Sequence, residues 1–187
     1  MVIFVAKYCG KTTTNTKTKY WMNYKKLLIQ QQTNNGGNYT NVGSVVDTQT
    51  SFRVVCQEFP FKHFPETKDL PKRDWYDEHG EDVYIPSDGL RFKAYDLEVK
   101  FLYVGTQAQM PTDLRNFISF IYGRNTDGSP LLAIYDEYTK TGRRGAYVLN
   151  VDNELIAYDD KNEEVIGQFK VKFRITDPVT DITLTNG

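Results

Sequence analysis

Residues 135–152 read YDEYTKTGRRGAYVLNVD. Two segments rich in apolar and aromatic residues flank a polar, glycine-containing stretch at Thr139–Gly145, and the second segment alternates from Tyr147 to Val151. This pattern predicts two β-strands joined by a turn. Arg143 and Arg144 would lie at the tip of the turn, where arginine side chains reach outwards and favour carboxylates or phosphates. The tip is either a contact with another molecule or an ordinary solvated turn.

Further segments have the composition and the period of strands. They are SFRVVCQEF (51–59), YDLEVKFLYVG (95–105), PLLAIYDEY (130–138) and a hairpin over 154–178 that turns at DDKN. Aromatic residues make up 14% of the 187 residues, which also favours a β-rich fold.

One segment, MPTDLRNFISFIYGRN at 110–125, has the period of an amphipathic helix instead. Thr112 is a good N-cap and Gly123 is a good stop. Apolar residues at i, i+3, i+4 and i+7 form one stripe, namely Leu114, Phe117, Ile118 and Ile121. We therefore predict a mainly β fold, an antiparallel β-sandwich or barrel with one short helix near 112–122 that covers a face or an end of the sheet.

Charge divides the chain into two parts. Residues 1–46 contain six Lys and no acidic residue, a net charge of +6, and the remainder has 17 basic and 24 acidic residues, a net charge of −7. We assign residues 1–43, rich in Thr, Asn, Gln and Lys, to an extended basic N-terminal arm and residues 44–187 to the β-domain. Because the two charges nearly cancel, a neighbouring copy of the chain is a candidate partner for the arm. Contact with DNA is expected to be indirect at most.

No enzymatic site can be assembled from the sequence. Cys9 and Cys56 form no CxxC motif and can be a disulfide, a reactive thiol or two ordinary small hydrophobic residues. His63 and His79 lie outside zinc-binding motifs. The acidic stretch DWYDEHGED (74–82) has oxygen ligands suited to Ca²⁺, but its spacing differs from that of an EF-hand, so a solvated loop is the simpler interpretation. We predict no enzyme, cofactor, metal or membrane span.

The charged segments define a candidate subunit interface. Its acidic loop contributes Asp74, Trp75, Asp77, Glu78, Glu81 and Asp82. Its basic side consists of Lys17, Lys19, Lys25, Lys26, Arg143 and Arg144.

The order of these parts resembles the ring-forming N-terminal domain of phage distal tail proteins and, more distantly, the tail-tube fold. The parts read FRVVCQEFPF, PETKDLPKRDWYDEHGED, YDLEVKFLY, DLRNFISFIYG, LLAIYDEY…GAYVLNVD and FKVKFRITDP, and the resemblance spans about residues 45–180. Two pieces, GRRGAYV and FRITDP, are also similar to tail-associated proteins from phages of gut Bacteroides relatives.

This resemblance implies a structural virion protein without enzymatic activity. Such a protein would form a ring of six or twelve copies in the phage tail, as a distal tail, hub or tube component that joins other tail proteins after assembly in the host cytoplasm. The family pattern does not require the basic N-terminal arm. The alternative is a stand-alone β-sandwich module that binds glycans or a protein partner at an aromatic site around Trp75 and Tyr76.

Overall fold

The computed structural model describes residues 26–63, 65–77, 79–125, 128–159 and 164–185. Seven strands form one antiparallel sheet in the order β2-β1-β7-β8-β9-β6-β3, and β4 and β5 form a separate two-stranded sheet. The strands are β1 (Leu27–Asn35), β2 (Asn38–Asp47), β3 (Val54–Glu58), β4 (Lys72–Asp74), β5 (Glu81–Val83), β6 (Tyr95–Thr106), β7 (Leu131–Asp136), β8 (Thr141–Asp159) and β9 (Glu164–Ile175). The helices are α1 (Thr48–Phe52) and α2 (Met110–Ile121). The predicted fold class is confirmed.

The two edge strands of the large sheet are neighbours in sequence, which forces the sheet to curl. In a flat sheet, six spacings of about 4.8 Å would separate β2 from β3 by about 29 Å. The connection consists of α1 and Arg53 alone. A five-residue helix rises about 7.5 Å, so the link spans roughly 15 Å. One end of the sheet therefore folds back until its two edges lie close together, as in a sandwich.

The larger of the two hydrophobic clusters in the described residues lies inside this curl. Residues from β1 and β3, at opposite ends of the strand order, belong to the same buried cluster. Aromatic rings form its centre, because Phe117 of α2 packs edge-on against Phe101 of β6 at 5.4 Å, and Phe52 of α1 packs against Phe117 at 5.6 Å between ring centroids. The helices thus fill the space that the curled sheet leaves open.

Helix α1 was not predicted, and the strand expected over 51–59 begins only at Val54. The helix exists because Asp47 caps it, accepting hydrogen bonds from the backbone amides of Gln49 (2.9 Å) and Thr50 (3.3 Å). It ends at Arg53, which has a left-handed conformation with φ of 54°. A buried cap and a left-handed stop override the weak helix propensity of its polar residues.

Helix α2 is confirmed, although its start differs from the prediction. It begins at Met110, and Thr112 lies inside it rather than at the N-cap, because Pro111 is well suited to the first turn. Its predicted stop, Gly123, has φ of 66°, and a Cβ there would lie 2.3 Å from the backbone carbon of Ser129. Only glycine satisfies both conditions without rearrangement.

The segment 26–43, assigned to the N-terminal arm from its composition, lies in the sheet as β1 and most of β2. β1 pairs with β7, about a hundred residues further along the chain. Its three consecutive glutamines are buried and hydrogen-bonded; for example, Gln31 Nε2 donates to the Phe120 carbonyl oxygen (2.9 Å) and Gly145 N donates to Gln32 Oε1 (3.1 Å). Residues 1–25 lie outside the described residues, so an arm of that length stays a prediction.

We expect Asp47→Ala to lower the free energy of unfolding by about 1–2 kcal/mol, because the variant loses the cap of the helix that joins the two edge strands. Urea denaturation measures this change. Asp69→Ala is the control, since Asp69 forms an exposed ion pair with Lys93 that contributes about 0–1 kcal/mol. An equal loss in both variants would contradict the role of α1.

The same carboxylate adds a pH dependence. Burial opposes ionisation of Asp47, but hydrogen bonds from Thr50 and Lys26 outweigh it and lower its pKa. Its stabilising contribution is therefore fully present above the unfolded-state pKa of about 3.9 and is lost as the pH falls through the lower folded-state pKa. Below about pH 4, the stability of the wild type should fall more steeply than that of Asp47→Asn.

Candidate assembly surface

A long hairpin projects from the sheet between β3 and β6, and we call residues 66–93 the finger. Its base is closed by backbone hydrogen bonds from Lys68 N to Arg91 O and from Lys93 N to Glu66 O, both 2.7 Å. Further out, β4 pairs with β5, from Lys72 opposite Val83 to Asp74 opposite Glu81. The acidic stretch 74–82 is therefore part of a two-stranded ribbon.

The finger has no core of its own. None of its described residues from 66 to 91 is buried. Three large side chains are mostly exposed: Tyr76 (98%), Tyr84 (68%) and Ile85 (64%). Trp75, Val83 and Leu90 are exposed to a smaller degree. An isolated two-stranded hairpin is at best marginally stable, so the apolar side chains of the finger point to a partner surface.

Polar contacts hold the ribbon together. Lys72 Nζ lies 2.8 Å from Glu81 Oε2 across the two strands. The Arg73 guanidinium stacks 3.5 Å from the centre of the Trp75 ring. Exposed ion pairs contribute about 0–1 kcal/mol each, so these contacts shape the finger without making it strongly stable.

The structure brings the predicted acidic cluster together at the end of the finger. Asp74 lies directly opposite Glu81, and like charges in this position repel each other. Asp82 accepts a hydrogen bond from Trp75 Nε1 (3.2 Å), and Asp77 lies exposed in the turn. Glu78 lies outside the described residues.

A hollow of about 540 Å³ lies beside the Trp75 ring. Its walls are Pro71, Lys72, Arg73, Trp75, Asp82, Val83 and Tyr84. It combines two aromatic rings with charges of both signs, a mixture that suits an extended polar ligand or a side chain of another protein.

A buried arginine lies beside the segment that leads from β3 into the finger. Arg143 is only 3% exposed, and its guanidinium lies 4.4 Å from the centre of the Phe61 ring. Phe61 also stacks on Phe59 at 6.2 Å and meets His63 edge-on at 4.8 Å between ring centroids. Arg143 further pairs with Asp181 of the C-terminal segment. One side chain thus joins the sheet, the segment that leads into the finger, and the C-terminal segment.

The predicted position of Arg143 and Arg144 at a hairpin tip is wrong. The turn is Glu137–Lys140, and both arginines lie in β8. The Asp136 carboxylate places the turn ahead of the glycines, because it accepts hydrogen bonds from Thr139 N (2.9 Å) and Thr139 Oγ1 (2.7 Å).

Arg144 has partners within its own chain as well. Its Nε lies 2.6 Å from Asp177 Oδ2, and its guanidinium stacks 4.8 Å from the centre of the Tyr39 ring. The hydrogen bond with Arg144 helps to lower the pKa of Asp177, although burial of that carboxyl acts in the opposite direction. Both arginines are therefore held within their own subunit, and their role in a subunit interface stays a prediction.

Lys26 is the one lysine of the predicted basic side that lies in the described residues. Its Nζ is 3.1 Å from Asp47 Oδ2, at the start of β1. Lys17, Lys19 and Lys25 lie outside the described residues.

The described residues show little reactive chemistry. Cys56 is a buried free thiol whose pKa burial raises to about 12, so its reactive thiolate form is disfavoured. Cys9 lies outside the described residues. Within the described ranges, no three His, Cys, Asp or Glu residues form a group that could hold a metal ion. Of the helices in that part of the chain, none has the length and apolar character needed to cross a membrane.

Several solved structures match this chain, and one of them is a phage protein. It is the Dit protein (gp 19.1) of phage SPP1, described as a paradigm of the hub adsorption apparatus in phages that infect Gram-positive hosts. The match has 14% identity and a TM-score of 0.47, and it covers 81% of this chain and 50% of that chain. The chain thus matches about half the length of that protein, and a likeness of this size carries no argument about function. No family model and no curated protein matches the sequence.

Sequence reasoning missed Tyr84 and Ile85, two of the most exposed apolar residues of the finger. Both lie in residues 60–89, where charged residues, prolines and glycines hide the apolar ones. Two adjacent large apolar residues inside such a stretch were the available signal.

We expect Arg143→Lys to lower the free energy of unfolding by about 1–3 kcal/mol, because lysine has no planar group that could stack on Phe61 while its ammonium pairs with Asp181. Limited proteolysis should also cut the finger faster in this variant. Arg115→Lys, an exposed change on α2, is the matched control and should behave as the wild type. Unchanged stability and cleavage in Arg143→Lys would show that the finger does not depend on this contact.

Proposed function

We propose that this chain is a non-enzymatic structural subunit of a bacteriophage tail, which forms a ring and joins neighbouring tail proteins in the virion. Distal tail, hub and tube rings all fit the proposal. The ring would contain six or twelve copies and would assemble in the host cytoplasm.

The observation that carries the proposal is the finger. It projects from a well-packed domain, contains no buried residue between 66 and 91 among those described, and exposes Tyr76, Tyr84 and Ile85. In an isolated monomer these three side chains stay in water, whereas a subunit that inserts the ribbon against a neighbour buries them. Burying one large apolar side chain contributes about 1.5–3 kcal/mol.

Two further features support the tail assignment. The order of sequence elements over about residues 45–180 resembles that of distal tail proteins, and the mainly β fold expected from this resemblance is the fold observed. A closed ring also needs two different patches on each subunit, one that inserts and one that receives. The acidic end of the finger would face a basic surface of the next copy, for which the N-terminal lysines are the proposed source.

We expect the triple variant Tyr76→Ser, Tyr84→Ser, Ile85→Ser to remain folded but to lose ring assembly, because its finger has no apolar side chains left to bury. Light scattering gives the mass of the purified protein, and negative-stain images of the same sample show whether rings form. Circular dichroism and thermal unfolding should match the wild type, since these residues make no contribution to the core.

The matched control is Val179→Ser, which removes an exposed apolar residue outside the finger. It should assemble as the wild type does. Rings of normal mass from the triple variant would contradict the proposal that the finger drives assembly, and a wild type that stays monomeric at high concentration would contradict ring formation by this chain alone.

A second candidate function is glycan binding, favoured by the hollow beside Trp75 and Tyr84. One face of the Trp75 ring is already covered by Arg73, so only its other face is available for stacking. Saturation-transfer NMR with soluble oligosaccharides distinguishes the two functions. Binding by the monomer that Trp75→Ala abolishes would favour the glycan module.

A further inference from the structure

One edge of the large sheet lacks the protection that natural sheet edges carry. The nine residues of β2 from Asn38 to Val46 include no charged residue and no proline. The other edge, β3, has only five residues, ends in Glu58 and is followed by Pro60. Charged residues, prolines and short lengths keep edge strands from pairing with other chains. β2 is therefore the edge that remains open to pairing.

The hairpin geometry identifies the backbone groups that face outwards. Gly36 and Gly37 have φ of 60° and 94°, as in the two-residue type I′ turn, so Asn35 and Asn38 form the first hydrogen-bonded pair. Such pairs alternate along an antiparallel ladder. The amide and carbonyl groups of Tyr39 and Asn41 therefore point away from β1.

No other backbone of the described residues occupies the outward edge. No backbone hydrogen bond from elsewhere in the described chain reaches Tyr39 or Asn41. The Tyr39 ring lies under Arg144, and its hydroxyl lies 3.1 Å from Thr176 Oγ1. The strand is thus held in the extended form that an added strand requires. Beyond Val42, Gly43 has φ of 70° and the register with β1 shifts, so the regularly paired part of β2 ends there.

The sequence before β1 has the properties of a strand that would fit this edge. Residues 1–25 contain five Lys and no acidic residue, a charge of +5, and the chain's net −1 leaves −6 for the remainder. Residues 16–24, TKTKYWMNY, alternate and are rich in Thr and aromatic residues, which favour strands. Twenty-five residues reach about 80 Å when extended, far enough to cross to a neighbouring subunit.

We propose that the N-terminal segment of a second copy adds as a strand to β2 and pairs with Tyr39 and Asn41. The proposal rests on the proposed function, because it names the contact between neighbouring subunits of the assembly. Its receiving surface, β2, differs from the finger, so variants of β2 and of the finger test the two contacts separately.

Residue-resolved amide hydrogen exchange on the full chain tests the proposal, with the assembly compared with the monomer obtained on dilution. We expect exchange of the Tyr39 and Asn41 amides to slow at least tenfold on assembly. The Thr40 and Val42 amides face β1, so they should be protected in both states and serve as the internal reference.

Variants of the full chain test the same contact through the mass of the assembly, measured by light scattering. Thr40→Lys places a charge on the edge, and the pair Thr16→Pro, Thr18→Pro removes amide donors from the added segment. Each should raise the concentration needed for assembly at least tenfold. The matched control is Asn150→Lys, which places the same charge on the central strand β8 and should assemble normally.

The outcomes separate this proposal from the proposed function. Normal assembly with unprotected Tyr39 and Asn41 amides, or with both edge variants assembling normally, overturns the strand addition and leaves the ring in place. Protection of these amides in the monomer shows that the chain's own N-terminal segment covers β2. This outcome overturns the proposal that the added strand comes from a second copy. Absence of any assembly overturns both proposals.

Discussion

The short connection between β2 and β3 is the constraint on which the rest of the structure depends. One five-residue helix and one further residue join the two edges of a seven-stranded sheet, so the sheet has to curl around its apolar face. The core residues of distant strands then meet, and the two helices fill the opening. Asp47 stands at the centre of this arrangement, because it caps the connecting helix and pairs with Lys26 at the start of β1.

The curl also decides which parts of the chain remain outside the core. The finger leaves one end of the folded sheet and returns to it, so its apolar side chains cannot reach the core that the helices already fill. Arg143 stacks on Phe61, in the segment that leads into the finger, and its charge is matched by Asp181. A buried guanidinium is costly without such partners, so these two contacts stabilise its buried position.

Most strands and the longer helix follow from local patterns. Alternation predicts β6 and β9, and the stripe of apolar residues with a glycine stop predicts α2, because side-chain period and backbone conformation act over a few residues. Helix α1 escaped prediction since its cap depends on a single buried carboxylate. The hairpin turn was displaced by a few residues because Asp136, and not the glycines, sets its position. Composition alone assigns the glutamine-rich first strand of the sheet to the N-terminal arm, because its polar side chains find their hydrogen-bond partners only in the folded chain.

The sequence by itself determined that this is a mainly β protein with one amphipathic helix, an acidic loop and a basic N-terminal segment, because these properties are local or additive. Only the tertiary structure decided that β1 pairs with β7, that both arginines of β8 are engaged within the subunit, and that Tyr76, Tyr84 and Ile85 stay exposed. These outcomes depend on contacts between residues far apart in the chain. Burial and exposure are properties of the whole curled sheet, and no short stretch of sequence contains that information.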